Sequence, residues 1–314
     1  MKRIKIKHTD LAIAPINFGG NVFGWTLDEK QSFNILDKFL GAGFNFIDTA
    51  DTYAWWINGT GGQSEEIIGK WLKSRGNRNQ VVVATKVGSE TKAHGFDISK
   101  KHILRSAEDS LRRLGVEQID LYYTHFDDGV TPPEETLSAY DELVRAGKIR
   151  YVAASNLSPE RLKTSLEIAK ANNLPRYVAL QPHYNLMERT DFETDYAPLA
   201  AEFDLSVFPY WSLASGFLTG KYRTADDLNK SARGGSAKKY LNEKGNAVLA
   251  ALDTISRKRN TSPATIALAW LLAKPLITAP IVSATSESQL ETLFQAPELK
   301  LDAEEVALLD KVSE

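Results

Sequence analysis

The stretch 16-INFGGNVFG-24 decides how the chain is read. It is a short apolar run that ends in a glycine turn. A doubly wound dinucleotide-binding sheet carries G-x-G-x-x-G at that place, after its first strand. Here Phe18-Gly19-Gly20-Asn21 leads to Gly24, and that spacing is absent. Seven further runs follow: 44-FNFIDTA-50, 81-VVVATKVG-88, 119-IDLYYTH-125, 149-IRYVAAS-155, 177-YVALQPHYN-185, 205-LSVFPYW-211 and 276-LITAPIVSA-284. Most are almost continuously apolar, as strands buried on both faces are. Amphipathic stretches separate them. Eight strands alternating with helices, without the glycine fingerprint, predict an α/β chain folded as a closed (β/α)8 TIM barrel.

The helical signals sit between the runs. Residues 28–42 place Phe33, Leu36, Phe39 and Leu40 on one face, and 65–74 gather Ile67, Ile68, Trp71 and Leu72. Ser99 reads as the N-cap of a helix that ends at Gly115. Pro133 and Pro159 mark first helical turns, and 263-PATIALAWLLA-273 reads likewise. The basic N-terminus has an apolar run that is short and broken by Asp10 and Pro15, so it predicts a β-hairpin rather than a signal peptide. No linker or composition shift divides residues 1–314, which predicts a single domain with a C-terminal loop and helical segment. Residues 214–260, rich in Gly, Ser, Lys and Arg, are expected to form a loop over the carboxyl ends of the strands.

Composition narrows the partners. The chain has 314 residues, 43% of them hydrophobic, with 38 Lys plus Arg against 40 Asp plus Glu. The apolar content excludes a disordered chain, and a net charge of −2 leaves no electrostatic footprint for nucleic acid or an anionic membrane. No window approaches ~18 uninterrupted apolar residues, so no membrane span is expected, and a cytoplasmic location follows. The absence of cysteine excludes disulfides, thiolate metal sites and thiol nucleophiles, and no metal is expected.

In a barrel the chemistry gathers at the carboxyl ends of the strands. Those ends carry Asp48 with Tyr53 five residues on, Lys86, His125, Ser155-Asn156, Gln181 and Tyr210-Trp211-Ser212. Each has an ordinary structural explanation: Asp or Ser-Asn as a cap or turn, His as a satisfied core group. Lys86 inside an apolar run is harder to dismiss, because a desolvated ammonium needs a partner. Asp48, Tyr53, Lys86 and His125 fall on three successive strand-to-helix connections. A tyrosine hydroxyl, with a pKa of about 10, becomes a useful acid or base when a cation lowers that value. Lys86 supplies the cation, Asp48 holds it, and His125 donates a hydrogen bond to a carbonyl oxygen. The set suits protonation of a carbonyl oxygen as charge develops on it. Reduction then needs a nicotinamide or flavin, since no side chain supplies hydride.

The segments 46-FIDTADTY-53, 83-VATKVG-88, 121-LYYTH-125, 153-AASN-156, 181-QPHYNL-186 and 217-FLTGKY-222 resemble, in this order and spacing, the aldo-keto reductases. The likeness runs across essentially the whole chain and is nearest to bacterial members related to potassium-channel β-subunits. It implies an NAD(P)H-dependent oxidoreductase that reduces aldehydes or ketones reversibly, with Tyr53 as general acid, Lys86 and Asp48 tuning it, and His125 orienting the carbonyl. It further implies that Ser155, Asn156 and Gln181 hold the nicotinamide carboxamide and that Tyr210 stacks on the ring. Trp211, Ser212, Leu213, Gly216, Leu218 and Lys221 would wrap the pyrophosphate. Ser283, Thr285 and Gln289 would meet the adenosine end.

Departures matter. Ser283 and Gln289 stand where many members have the Lys and Arg that grip a 2′-phosphate, and Thr292 and Leu293 replace a Glu and an Asn. NADP is expected, with a weakened preference that leaves NAD or dual use open. The passage 54-AWWINGTGGQSEE-66 is longer than usual and brings Trp55 and Trp56 near Tyr53. With Phe126 they read either as rim packing or as a wall for a sugar or aromatic aldehyde. Asp127 and Asp128 are expected to add polar contacts there. Three functional readings remain: a reductase of small carbonyls acting also as a sugar or alcohol dehydrogenase, a redox-sensing module that holds its cofactor with slow turnover, and a Schiff-base enzyme using Lys86. The physiological substrate and the oligomeric state are not legible.

Overall fold

The computed structural model describes residues 2–92 and 94–314. Strands β1 (Ile4–Lys5) and β2 (Ala12–Ile13) pair antiparallel as an N-terminal hairpin. Eight more strands form one parallel sheet: β3 (Asn17–Gly19), β4 (Phe46–Asp48), β5 (Val82–Val87), β6 (Ile119–Thr124), β7 (Ile149–Ser155), β8 (Tyr177–Gln181), β9 (Ser206–Val207) and β10 (Ile281–Val282). Their order is β10-β3-β4-β5-β6-β7-β8-β9. The two ends of the sheet meet through a parallel bridge between Val207 and Ile277, with Thr278 N donating to Val207 O (2.9 Å) and Ile281 N to Pro209 O (2.8 Å). The sheet is therefore a closed barrel, and each expected strand lies within its run.

The helices are α1 (Glu29–Gly41), α2 (Trp55–Asn58), α3 (Gln63–Arg75), α4 (Lys100–Leu114), α5 (Pro133–Arg145), α6 (Pro159–Ala171), α7 (Ala197–Glu202), α8 (Gly234–Ala237), α9 (Glu243–Arg259), α10 (Pro263–Ala273), α11 (Glu287–Gln295) and α12 (Ala303–Val312). The expected signals do start them. Ser99 accepts from His102 N at the head of α4, and Pro133 and Pro159 open α5 and α6. None of these helices is long and apolar enough to cross a membrane, among the described residues.

Residues 214–260 correct the expectation of a loop. They contain 3-10 turns, α8 and the 17-residue α9. Asn242 caps α9, and Val248, Leu249, Leu252 and Ile255 bury one face. That spacing is helical, and it overrides the polar composition around it.

Two apolar layers explain why the sheet closes. Outward residues such as Phe18, Ile47 and Val83 pack against the helices. Inward residues form a second cluster, in which Ala84, Ala153, Ala179 and Ala279 leave room for Phe46, Tyr123 and Phe208. Ile6, Leu11 and Ile13 of the hairpin join that inner cluster. Asn45, just before β4, ties the hairpin down by accepting from Ala14 N (2.9 Å) and donating to Ala12 O (3.0 Å). The amino end of the barrel is thus plugged, and the carboxyl end is the open one.

Helix α3 lies so close to α4 that a Cβ on Gly69 would stand 2.3 Å from Arg113 O and 2.7 Å from the Leu114 carbonyl carbon. Gly69→Ala should therefore destabilise, although alanine is the better helix former by about 1 kcal/mol. Overpacking against backbone costs roughly 1–3 kcal/mol. A lowered urea midpoint with unchanged m-value is the expected result.

Candidate active site

Lys86 points into the barrel from β5, where its side chain is fully buried. Such an ammonium must be paired. Its Nζ donates to Asp48 Oδ1 at the end of β4, to Thr49 O (2.9 Å) and to Tyr53 Oη (3.0 Å). Burial works against the Lys86 charge, but Asp48 and Tyr53 more than offset it and hold its pKa above the ordinary value. Burial raises Asp48, with Lys86 pulling it back. Tyr53 is also pushed up: burial leads, Asp48 adds to it, and Lys86 only partly opposes them. Residue types alone put the cation's effect first; in the folded chain desolvation outweighs it. Tyr53 therefore keeps its proton at neutral pH, the state an acid needs.

His125 follows β6, with its ring centroid 6.1 Å from that of Tyr53. Burial, helped by the Lys86 charge, holds its pKa well below the usual value. The imidazole is therefore neutral, a state that can form hydrogen bonds but carries no extra proton to give. Its buried Nδ1 has no hydrogen-bond partner among the described residues.

The residues assigned to a carboxamide join the same network. Gln181 Nε2 donates to Asp48 Oδ2 (3.0 Å), and Ser155 Oγ donates to Gln181 O (2.9 Å). Asn156 Nδ2 donates to Ser155 Oγ and to His125 O (2.9 Å each), and Tyr210 Oη donates to Asn156 Oδ1 (2.9 Å). His183 covers one face of the Tyr210 ring, with planes 13° apart. Five segments far apart in sequence thus meet in one connected set.

The connection carrying Tyr53 is braced from behind. Thr49 Oγ1 donates to Ser64 Oγ, which donates to Gly20 O (2.8 Å each). Glu65, fully buried, accepts from Thr85 Oγ1 (2.5 Å) and from Arg113 Nε (2.7 Å). The 46–53 motif alone does not announce this brace, although Ser64 and Glu65 lie in the passage already singled out.

The 211–221 segment runs through left-handed backbone at Trp211, Ala214, Ser215 and Gly216. Gly216 permits a close approach: a Cβ there would lie 3.2 Å from Lys221 Nζ. Ser212 Oγ bonds Pro209 O (3.0 Å), and the Leu218 side chain belongs to the core rather than to an open surface. Leu213 packs on the same core. Ser283 Oγ donates to Gly19 O (2.7 Å), while Thr285 N donates to Gln289 Oε1 (2.9 Å) at the start of α11.

The rim is aromatic. Trp55 lies 6.4 Å from Trp56, and Phe126 packs against both His125 (4.8 Å) and Phe96 (5.2 Å). Asp127 and Asp128 are not free for a substrate, contrary to expectation. Asp127 pairs with Arg161 (3.1 Å), and Asp128 accepts from Ile98 N (3.1 Å) and Thr131 N (2.8 Å). Arg233, which no motif marks, meets no carboxylate within 4.0 Å among the described residues. A lone cation in 231-SARGGS-236 is the only local signal. No cluster of three His, Asp or Glu side chains among the described residues is arranged to hold a metal.

Lys86→Met should cost about 3–5 kcal/mol, because it strands the Asp48 carboxylate. Adding Asp48→Asn should recover part of that loss, as the uncompensated charge is then gone. Urea unfolding of the two variants reads the difference without any assay of activity.

Comparison with known proteins places this geometry. Residues 15–314 match the model of the aldo/keto reductase family. The chain is 33% identical to an uncharacterized oxidoreductase, YrpG, of Bacillus subtilis (strain 168), covering 99% of this chain and 96% of that one. It is 31% identical to a probable voltage-gated potassium channel subunit beta of Oryza sativa subsp. japonica, covering 92% and 89%. It is 30% identical to an aryl-alcohol dehydrogenase [NADP(+)] of Phanerodontia chrysosporium, covering 96% and 82%. The barrel, the buried Asp–Lys pair at its open end and a family match over nearly the full length agree: this chain belongs to the aldo/keto reductase family.

Proposed function

We propose that the protein is an NAD(P)H-dependent oxidoreductase that reduces aldehydes or ketones to alcohols and runs in reverse on alcohols or sugars. The contact of Tyr53 Oη with a buried, charged Lys86, beside a neutral His125, carries this reading. A bound nicotinamide supplies the hydride. Tyr53 holds the proton that the carbonyl oxygen receives. Lys86, kept charged by Asp48, stabilises the phenolate left behind. His125 orients the carbonyl through a hydrogen bond. The raised pKa of Lys86 argues against a free amine and hence against Schiff-base chemistry.

The residues fit such a cofactor. Lys221, seated over Gly216, and Arg233 meet no carboxylate within ion-pair distance among the described residues, which suits a pyrophosphate. Ser155, Asn156 and Gln181 offer amide and hydroxyl groups for a carboxamide, and Tyr210 has one ring face left by His183. Trp211, Ser212, Leu213 and Leu218 shape the segment around the pyrophosphate. Ser283, Thr285 and Gln289 are neutral, so we assign NADP as the expected cofactor with modest discrimination against NAD. The NADP-linked aryl-alcohol dehydrogenase relative supports that order. Trp55, Trp56 and Phe126 form an apolar wall for the substrate. The plant channel-subunit relative favours a second reading, a cofactor-holding module with slow turnover.

Steady-state assays with aromatic aldehydes and sugars, each with NADPH and NADH, test the proposal. Tyr53→Phe should lower kcat for reduction by roughly 10²–10⁴-fold with nucleotide Kd little changed. Full turnover in that variant would remove Tyr53 as the acid. The raised Tyr53 pKa sets the sign of the pH response. Reduction needs the protonated phenol, so it should stay level through neutral pH and fall as pH rises through that pKa. Oxidation should rise over the same interval.

A further inference from the structure

Three segments converge over the open end of the barrel: the connection from β3 to α1, residues 54–62, and residues 214–240. The middle leaf is the first of these. Trp25, on the β3–α1 connection, receives the edge of Trp56 at 5.3 Å and 86°. The Arg233 guanidinium lies over the same Trp25 ring, 5.4 Å from its centroid. Asn21, four residues before Trp25, fixes the guanidinium from another side. With its amide oriented as its neighbours require, Asn21 donates to Gly19 O (3.2 Å) and Ser283 Oγ (2.8 Å) and accepts from Arg233 Nη2 (3.0 Å).

The leaf at 54–62 is built as a rigid clip. Ala54, Gly59, Gly61 and Gly62 all have left-handed backbone, bracketing α2. A Cβ on Gly61 would stand 2.6 Å from Thr52 Cα, so the segment is pinched shut at its base. Asn58 Oδ1 accepts from Thr60 N (2.9 Å) and Gly61 N (2.8 Å). The clip holds Trp56 out with 40% of its surface exposed and its edge against Trp25.

Arg233 forms no ion pair with a carboxylate among the described residues; Asp227, in the same segment, is held instead by Lys230 (2.6 Å). What holds Arg233 is therefore an aromatic face and one amide oxygen, neither of which neutralises its charge. Such a mooring keeps a cation in place for an anionic ligand without competing for it.

We propose that residues 54–62 latch the 214–240 segment over the barrel mouth through the stack Trp56–Trp25–Arg233, with Trp25 and Trp56 as positioning residues for the guanidinium. The ligand class served is a phosphate- or pyrophosphate-bearing molecule. That part alone rests on the cofactor reading above. The latch joins the substrate side of the mouth to the cofactor side, so displacement of Trp56 loosens Arg233.

Limited trypsin digestion of the full chain, without nucleotide, tests the latch directly. Cleavage at Lys221, Arg223 and Lys230 is compared with cleavage at Arg145 and Lys148, which lie elsewhere. Trp56→Ala and Trp25→Leu should raise the first rate about three- to tenfold relative to the second. Trp56→Phe, which retains an aromatic edge, should restore it. An unchanged ratio, or an equal rise at every site, overturns the latch. Stopped-flow release of NADPH supplies the second arm: Trp56→Ala should speed release by a similar factor, with Trp56→Phe near wild type. A wild-type chain that binds no NADPH defeats the cofactor reading, while the digestion ratio still decides the latch. Unchanged release from Trp56→Ala beside a raised digestion ratio removes the link to the phosphate-bearing ligand.

Discussion

The pairing of Asp48 with Lys86 is the constraint on which the open end of the barrel depends. Both charges are out of water, and desolvation of two ions is offset only when every remaining donor and acceptor is met. Thr49 O and Tyr53 Oη take the other ammonium protons, and Gln181 Nε2 serves the other carboxylate oxygen. One ion pair thereby ties β4, β5 and β8 to the turn that carries Tyr53. The next residue back on β5, Thr85, faces outward and meets a second buried charge, Glu65, held by Arg113. Two adjacent residues of one strand thus anchor charged clusters on opposite faces of the sheet. The strand is fixed between them, and the mouth inherits its precision from that.

Much of this was legible from residue types. A lysine in the run VVVATKVG has no ordinary reason to be there, and strand alternation puts it on the inner face. The caps at Ser99, Pro133 and Pro159 are local chemistry and read correctly. Helix α9 is hard to read because Lys, Arg, Asn and Ser surround Val248, Leu249, Leu252 and Ile255, so local composition masks the helical period. Asp127 and Asp128 looked available because their partners, Arg161 and Ile98, lie on other segments. The direction of the Tyr53 pKa depends on burial depth, which no neighbour in sequence reports. Arg233 is the extreme case: its setting comes from Asn21 and Trp25, about two hundred residues away.

On the proposed function, the reacting groups sit at or just past the strand ends, and selectivity sits farther out on the connections. Side chains at the strand ends are held by ladder hydrogen bonds and by each other, which suits groups whose distances matter to a bond-making step. The aromatic rim sits on connections, where length and composition vary without cost to the barrel. Trp55, Trp56, Phe96 and Phe126 all belong to such connections. On the proposed function, a small change in the 54–62 clip would alter what enters the mouth and leave the Asp48–Lys86 pair untouched.

The pairing of β10 with β3 has a consequence for how the molecule is made. Ser283 and Gly19, joined by a hydrogen bond, are 264 positions apart. The first barrel strand leaves the ribosome with one edge unsatisfied, and that edge stays open until the last strand arrives. An exposed strand edge is a template for wrong partners, and long-range pairing is slow. The hairpin ahead of β3 covers its amino end early, but nothing covers its side. The residues proposed for the adenosine end lie just beyond that final strand, on its connection to α11 and in α11 itself, so a chain interrupted before it lacks both barrel closure and that part of the nucleotide site. Ligand retention would then mark out finished molecules from unfinished ones.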